Sequence, residues 1–338
     1  MQLNKRLKVK KYSHTLEKYR KKIVYYIIIA LLILGFIYQH ISIYTNASHL
    51  GRVGQIIEVD NVNMHLYQEG SGDFPIVFAA NIGVSSPYTA MYRLHSILKS
   101  SHPVYVYDKP GYGWSDLTSS VRNIDQITTE IHDLLHAGLE DDDEFVPFIY
   151  VAYSMGSLEA LRYAQLYPED IAGIVLIDGA APSFCEDYNN IMILESFFTN
   201  MLRNTGLLRL GQKTHYVSSS LCMDKDLPKN IRSLSIGLGL EKAWNRNVLS
   251  EKLKVSDNAK TILDGPDLGD IPLRIITSEN NPYGSWSRSQ KSLLKLSTDA
   301  AQSYIKGSVD YIEKNDVPNI LNVIEELTSH ITELQENY

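Results

Sequence analysis

The chain has 338 residues, of which 44% are hydrophobic and 21% charged, with a net charge of −7 and only two cysteines. That composition suits one large globular core, and its acidity excludes a nucleic-acid binder. Two cysteines, Cys185 and Cys222, do not make a disulfide framework; a single bond and two buried thiols both remain open.

Charge is uneven along the chain. Residues 1–22 hold nine Lys/Arg and one Glu, a net of +8, so the total of −7 leaves −15 on residues 23–338. The next stretch, "IVYYIIIALLILGFIY" (Ile23–Tyr38), carries no charge, and "QHISIY" extends the uncharged run to Tyr44. It is apolar all round, whereas a helix at the surface of a soluble core has one polar face. Residues 23–44 are long enough to cross a bilayer, with tyrosines near both ends. The lysines before the run predict a cytoplasmic 1–22 and an extracytoplasmic body. A cleaved signal peptide is the alternative, with "TNAS" (Thr45–Ser48) as a small-residue cleavage site. The basic and apolar stretches are both long for one, which favours an anchor.

A polar linker, 45–54, leads into a body at 55–181. "GQIIEVD" and "VNMHLYQEG" flank Asn61 as two antiparallel strands. The runs "PIVFAA", "PVYVYD", "FVPFIYVAY", "IAGIVLID" and "IPLRIIT" are short and nearly all apolar, as expected of strands buried on both faces. Helical patterns at 123–139 and 157–168 lie between them. This alternation predicts an α/β fold with a mostly parallel sheet flanked by helices. After Asp178 the rhythm breaks. Residues 182–265 contain helical segments, "NIMILESFFTNMLRNTGLLRL" and "LEKAWNRNVLSEKLK", and no convincing strand. They predict a helical cap over the sheet's C-terminal edge, where ligands bind in open α/β sheets. The core resumes over 266–338.

"VAYSMGSLE" (Val151–Glu159) puts Ser154 between an apolar strand and a helix, with Ala152 and Gly156 as small neighbours. This is the context of a nucleophile elbow; a serine that merely caps the following helix is the plainer reading. "YDKPGYGWSD", "YPEDIAGIVLIDGAAP", "GLLRLG", "LGDIPLRIIT" and "WSRSQKSLLKLS" surround it in order. Together these stretches resemble the α/β-hydrolase superfamily, and in particular its membrane-associated bacterial members, over roughly residues 55–335.

The resemblance implies ester or amide hydrolysis through an acyl-serine on Ser154. It implies an oxyanion hole from the N–H groups of Met155 and Ile82. In the loop Ala80-Asn81-Ile82-Gly83, Asn81 stands where a glycine is expected. Asparagine tolerates positive φ better than most residues. The acid position falls on Asn281, with Asn280 and Glu279 beside it, and the histidine position falls on Asp310 in "GSVDYIEKNDVP". Asparagine can orient an imidazole but brings no charge. An aspartate is a weak base for a hydroxyl proton. The chain therefore reads as a hydrolase with a degenerate triad or as a non-catalytic pocket protein at the outer membrane face.

Other histidines offer little. His65 and His102 are expected far from the C-terminal edge, His132 and His136 on a helix as surface or packing residues, and His330 near the chain end. His215, in the cap, is the one placed to overhang Ser154. Neither a metal nor a cofactor is expected, and "EDDDE" (140–144) reads as a solvated loop. The expected partners are a small-molecule substrate or ligand and the membrane.

Overall fold

The computed structural model describes residues 2–336 apart from 47–50, 73, 139–144, 189–190, 213, 215–216, 218–220, 223 and 308–310. A single helix, Gln2–Asn46, carries the basic stretch straight into the apolar run. Within it Glu17–Thr45 is long and apolar enough to cross a membrane, with a mean hydropathy of 2.1 in its most apolar window and 6% of that window covered. A signal sequence passes the same test.

The body is built on eight strands in the order β1-β2-β4-β3-β5-β6-β7-β8. β1 (Gln55–Val59) and β2 (Val62–Glu69) form an antiparallel hairpin turned by Asp60 and Asn61, both at positive φ. β2 then runs antiparallel to β4 (Val104–Asp108). β3 (Ile76–Ala79), β5 (Phe148–Tyr153), β6 (Ile171–Ile177), β7 (Leu273–Ser278) and β8 (Ala300–Ile305) continue the sheet in parallel. β3, β4 and β5 are buried along their whole length. Their apolar runs follow from that, since helices cover both faces of the sheet.

β8 carries no such run. It is an edge strand with partly exposed residues, "AAQSYI", and one fully buried side chain, Ile305. One core layer joins the helices Ile124–Gly138 and Ser157–Leu166 to the sheet; the other joins Tyr92–Leu98 and the last helix, Val317–Glu336.

Between β6 and β7 the described residues form helices only: Pro182–Cys185, Ile191–Asn204, Leu207–Gly211, Lys229–Lys242, Arg246–Leu253 and Val255–Leu263. Both long helical segments of the sequence are broken. The first breaks at Gly206, which takes φ 73°. The second breaks at Trp244, φ 47°, after which the Asn245 side chain accepts the N–H groups of Asn247 and Val248 as an N-cap. Cys185 and Cys222 are free and buried, and burial pushes the Cys185 thiol up to about 12.

Candidate functional site

β5 ends at Tyr153 and the helix begins at Ser157, so Ser154 has to turn the chain at once. It does so with φ 52°, the left-handed region that a residue with a Cβ enters only at a cost of order 1–3 kcal/mol. Ser154 O accepts the Ala180 N–H at 2.9 Å, which ties the turn to the loop after β6. Gly156 sits where the helix passes β3: a Cβ there would come 2.8 Å from Ala80 O and 2.9 Å from Ala79 O. A glycine at this position is therefore a requirement of backbone approach.

The loop after β3 is a tight turn. Val84 N–H donates to Asn81 O at 3.3 Å, and Gly83 takes φ 89°. Asn81 does not use positive φ, so its departure from glycine acts through the side chain. Its Oδ1 accepts the Met155 N–H at 3.3 Å. One of the two expected oxyanion donors thus already has a partner. The Ile82 N–H makes no hydrogen bond among the described residues. The Trp244 ring of the helical insertion lies against Gly83, and Lys252 Nζ stands 4.3 Å from the centre of that ring.

Among the described residues, Asn281 faces a carboxylate and a backbone N–H. Its Nδ2 donates to Asp178 Oδ2 at 3.0 Å, and its Oδ1 accepts the Tyr283 N–H at 3.1 Å. Glu279 is exposed on the surface. The negative charge of this region lies one strand over. Asp178 follows β6 directly at φ 45°, is 3% exposed, and accepts from the Ser278 N–H (3.1 Å) and Trp286 Nε1 (2.7 Å) as well as from Asn281. Burial pushes its carboxyl above the usual range, against the pull of those three donors. Asp178 lines a small cavity with Tyr153, Ile305, Gly307 and Tyr311, so the ends of β5, β6 and β8 converge there. The sequence signal for it was an acid closing an all-apolar run, "IVLID".

Asp310, His215 and the acidic 140–144 stretch lie outside the described residues. The sequence-predicted residues Ser154, Met155 and Ile82 do share one edge, and Asn281 joins it through Asp178.

The histidines with described partners are engaged elsewhere. His65 corrects an expectation. It lies opposite Asp108, the last residue of β4, and so stands level with the C-terminal edge; two strands, β4 and β3, separate its own strand from β5. Its Nδ1 sits 2.8 Å from Asp108 Oδ2, both side chains being buried. His95 contacts Tyr88 O, His102 contacts Phe74 O, and His330 contacts Asp299. His132 and His136 are half-buried on the helix Ile124–Gly138 and pack there. One turn apart, they converge with buried Asp170 within 4.8 Å, a spacing that the sequence reading did not credit. That trio precedes β6, at the sheet edge opposite Ser154. Tyr163 donates to the same Asp170 oxygen, and His132 and His136 stack on Tyr167 and Phe145.

A second group joins the site's neighbours to the insertion. Lys109, from the loop after β4, contacts Glu159 of the elbow helix at 2.5 Å and also Glu251 of the helix Arg246–Leu253. Tyr107 donates to Glu159 at 2.6 Å, and Tyr112 to Glu251 at 2.8 Å. All three ionisable groups are buried, so two carboxylates share one ammonium. Burial raises the pKa of Glu159 despite Lys109. Burial also pulls Lys109 down, but the two carboxylates outweigh it and its pKa is raised.

Residues 94–230 match the family profile described as serine aminopeptidase, S33. YbdG of Bacillus subtilis, itself described as uncharacterized, is 32% identical over 275 residues, 79% of this chain and 83% of that protein. The chain belongs to the α/β-hydrolase superfamily, in the family that includes YbdG. Among solved structures, the Bacillus megaterium epoxide hydrolase has a TM-score of 0.59 at 14% identity, covering 81% of this chain and 100% of that one. The enol-lactonase of Burkholderia xenovorans has a TM-score of 0.56 at 14% identity, with the same coverage. At such identities these neighbours speak for the fold alone.

Proposed function

We propose that this is a membrane-anchored α/β-hydrolase-fold protein in which Ser154 is held as the nucleophile of a slow ester- or amide-hydrolysing site. The observation that carries the reading is the φ of 52° at Ser154, strain retained in a turn that Gly156 lets pass close to the Ala79–Ala80 backbone. A serine that only capped a helix would have no use for it. In this reading Ser154 Oγ attacks a carbonyl carbon, and the oxyanion takes the Met155 and Ile82 N–H groups after Asn81 Oδ1 withdraws. By the family resemblance Asp310 takes the position of the histidine that would accept the proton, and a carboxylate is a weak base for it, so turnover is slow in this reading.

A second reading is a binding pocket without chemistry. It is favoured by the Asn81 side chain on the Met155 N–H and by the Asn281–Asp178 hydrogen bond. The readings separate on turnover of a short-chain nitrophenyl ester by wild type, Ser154→Ala, Asp310→His and Asp310→His with Asn281→Asp. Restoring the imidazole should raise turnover, and the double variant should exceed the single one because base and acid act as a unit. No gain in either variant favours the pocket reading. Efficient wild-type turnover abolished by Ser154→Ala would mean that another group already serves as base.

A further inference from the structure

We infer that the helix Ile191–Asn204, with Leu207 and Leu210 beyond it, lies in the outer surface of the lipid bilayer beside the N-terminal helix. This rests on the reading of residues 23–44 as a membrane span.

The helix is built inside out. Leu194, Phe197, Phe198 and Met201 follow the i, i+3, i+4, i+7 spacing of one helix face, and that face is exposed. With Leu207 and Leu210 the exposures run from 43% at Leu207 to 74% at Leu194. Among the described side chains, the opposite face, turned to the protein, carries polar groups. Ser196 is buried and accepts from Lys252 Nζ at 2.8 Å. Asn200 donates to Trp244 O, and Arg203 Nη1 donates to Glu241 O at 2.7 Å. A helix on a water-soluble surface puts its apolar stripe inward. Reversal of that order suits a helix with hydrocarbon outside.

Its neighbour supplies the level. Gly35 of the N-terminal helix and Thr205–Gly206 approach so closely that a Cβ on either glycine would collide with backbone. Gln39, 2% exposed, donates to Leu240 O at 2.7 Å and accepts from Arg209 Nε at 2.9 Å. Gly35 lies inside the charge-free run Ile23–Tyr38, four residues below Gln39, or about 6 Å at 1.5 Å per residue. Thr205–Gly206 therefore meet the span below its first polar side chains, and the exposed apolar face continues from that contact. An insertion of about 5–10 Å is the depth of an interfacial helix. Through Asn200 and Trp244 the same helix reaches the ring against Gly83, so the membrane-facing element is one residue removed from the oxyanion loop.

The test uses the full chain in phosphatidylcholine–phosphatidylglycerol nanodiscs holding one chain each, with Cys185 and Cys222 replaced by alanine. A fluorophore is placed at Phe198→Cys, at Leu194→Cys, at Leu34→Cys in the span, or at Val146→Cys on the body, and quenched by lipids with nitroxides in their acyl chains. Residues 194 and 146 are exposed, so labelling there leaves the fold intact. The expected result is quenching at 198 and 194 as well as at 34, with none at 146. Quenching at 34 but not at 198 or 194 overturns the docking and leaves the span standing. No quenching at 34 overturns the span, and the docking with it.

Discussion

Ser154 shows what a single residue reveals in sequence and what it conceals. The small-x-Ser-x-Gly frame announces a sharp turn, and the turn is there with its positive φ. Asn81 was legible as a departure, but its action was not. The sequence suggested a backbone tolerance, whereas the side chain bonds to Met155. Which atom a polar side chain reaches depends on a loop 74 positions away, and no local pattern encodes that. Asp178 is a similar case, read only as the end of a strand. At this scale His95 gives a pH prediction. It is buried among Tyr67, Tyr88, Tyr92 and Phe78, donates to Tyr88 O if Nε2 carries the proton, and burial pulls its pKa down to about 4. Between roughly pH 6.5 and 4 the unfolded chain takes up a proton that the folded one refuses, so stability falls as pH falls. The loss attributable to His95 is about 3 kcal/mol across that window. Denaturant unfolding at pH 7 and at pH 4 should show that much less loss for His95→Gln than for wild type. Equal loss in both would contradict it.

Among elements, β1 to β7 were legible because burial on both faces forces apolar runs, and hairpin alternation marks the first two. β8 escaped because an edge strand needs no such run. The breaks at Gly206 and Trp244 were also missed, since helical periodicity continues across both. What couples elements was invisible: Lys109, Glu159 and Glu251 are separated by 50 and 142 positions, and each alone reads as surface charge. Folded together they fasten the helix Arg246–Leu253 to the elbow helix. Lys109→Met should cost about 3–5 kcal/mol, because two carboxylates remain buried without their cation. Glu251→Gln should cost less, since it removes one of two charges competing for the same ammonium. Urea unfolding of both variants checks the order; a milder effect for Lys109→Met would show that the group is not held by charge.

For the whole molecule, one edge of the sheet gathers the Ser154 turn, the loop after β3, Asp178 and the helical insertion, while the N-terminal helix contacts the insertion through Gly35 and Gln39. We propose that the basic residues at 1–22 hold the N-terminus in the cytoplasm, with the body outside. Impermeant thiol labelling of intact cells should modify Ser48→Cys and spare Lys11→Cys; the opposite pattern reverses the topology. Fold class was legible because many separate stretches agree. Reaction was not, because it depends on which atoms side chains such as Asn81 and Asn281 reach, and no local pattern encodes that. The most direct test of the account is fluorophosphonate labelling of Ser154, which needs a nucleophile but no turnover. The account predicts slow labelling of the wild type, none in Ser154→Ala, and faster labelling in Asn81→Gly, where the Met155 N–H is released. Labelling of wild type no greater than that of Ser154→Ala, with no gain in Asn81→Gly, would contradict it.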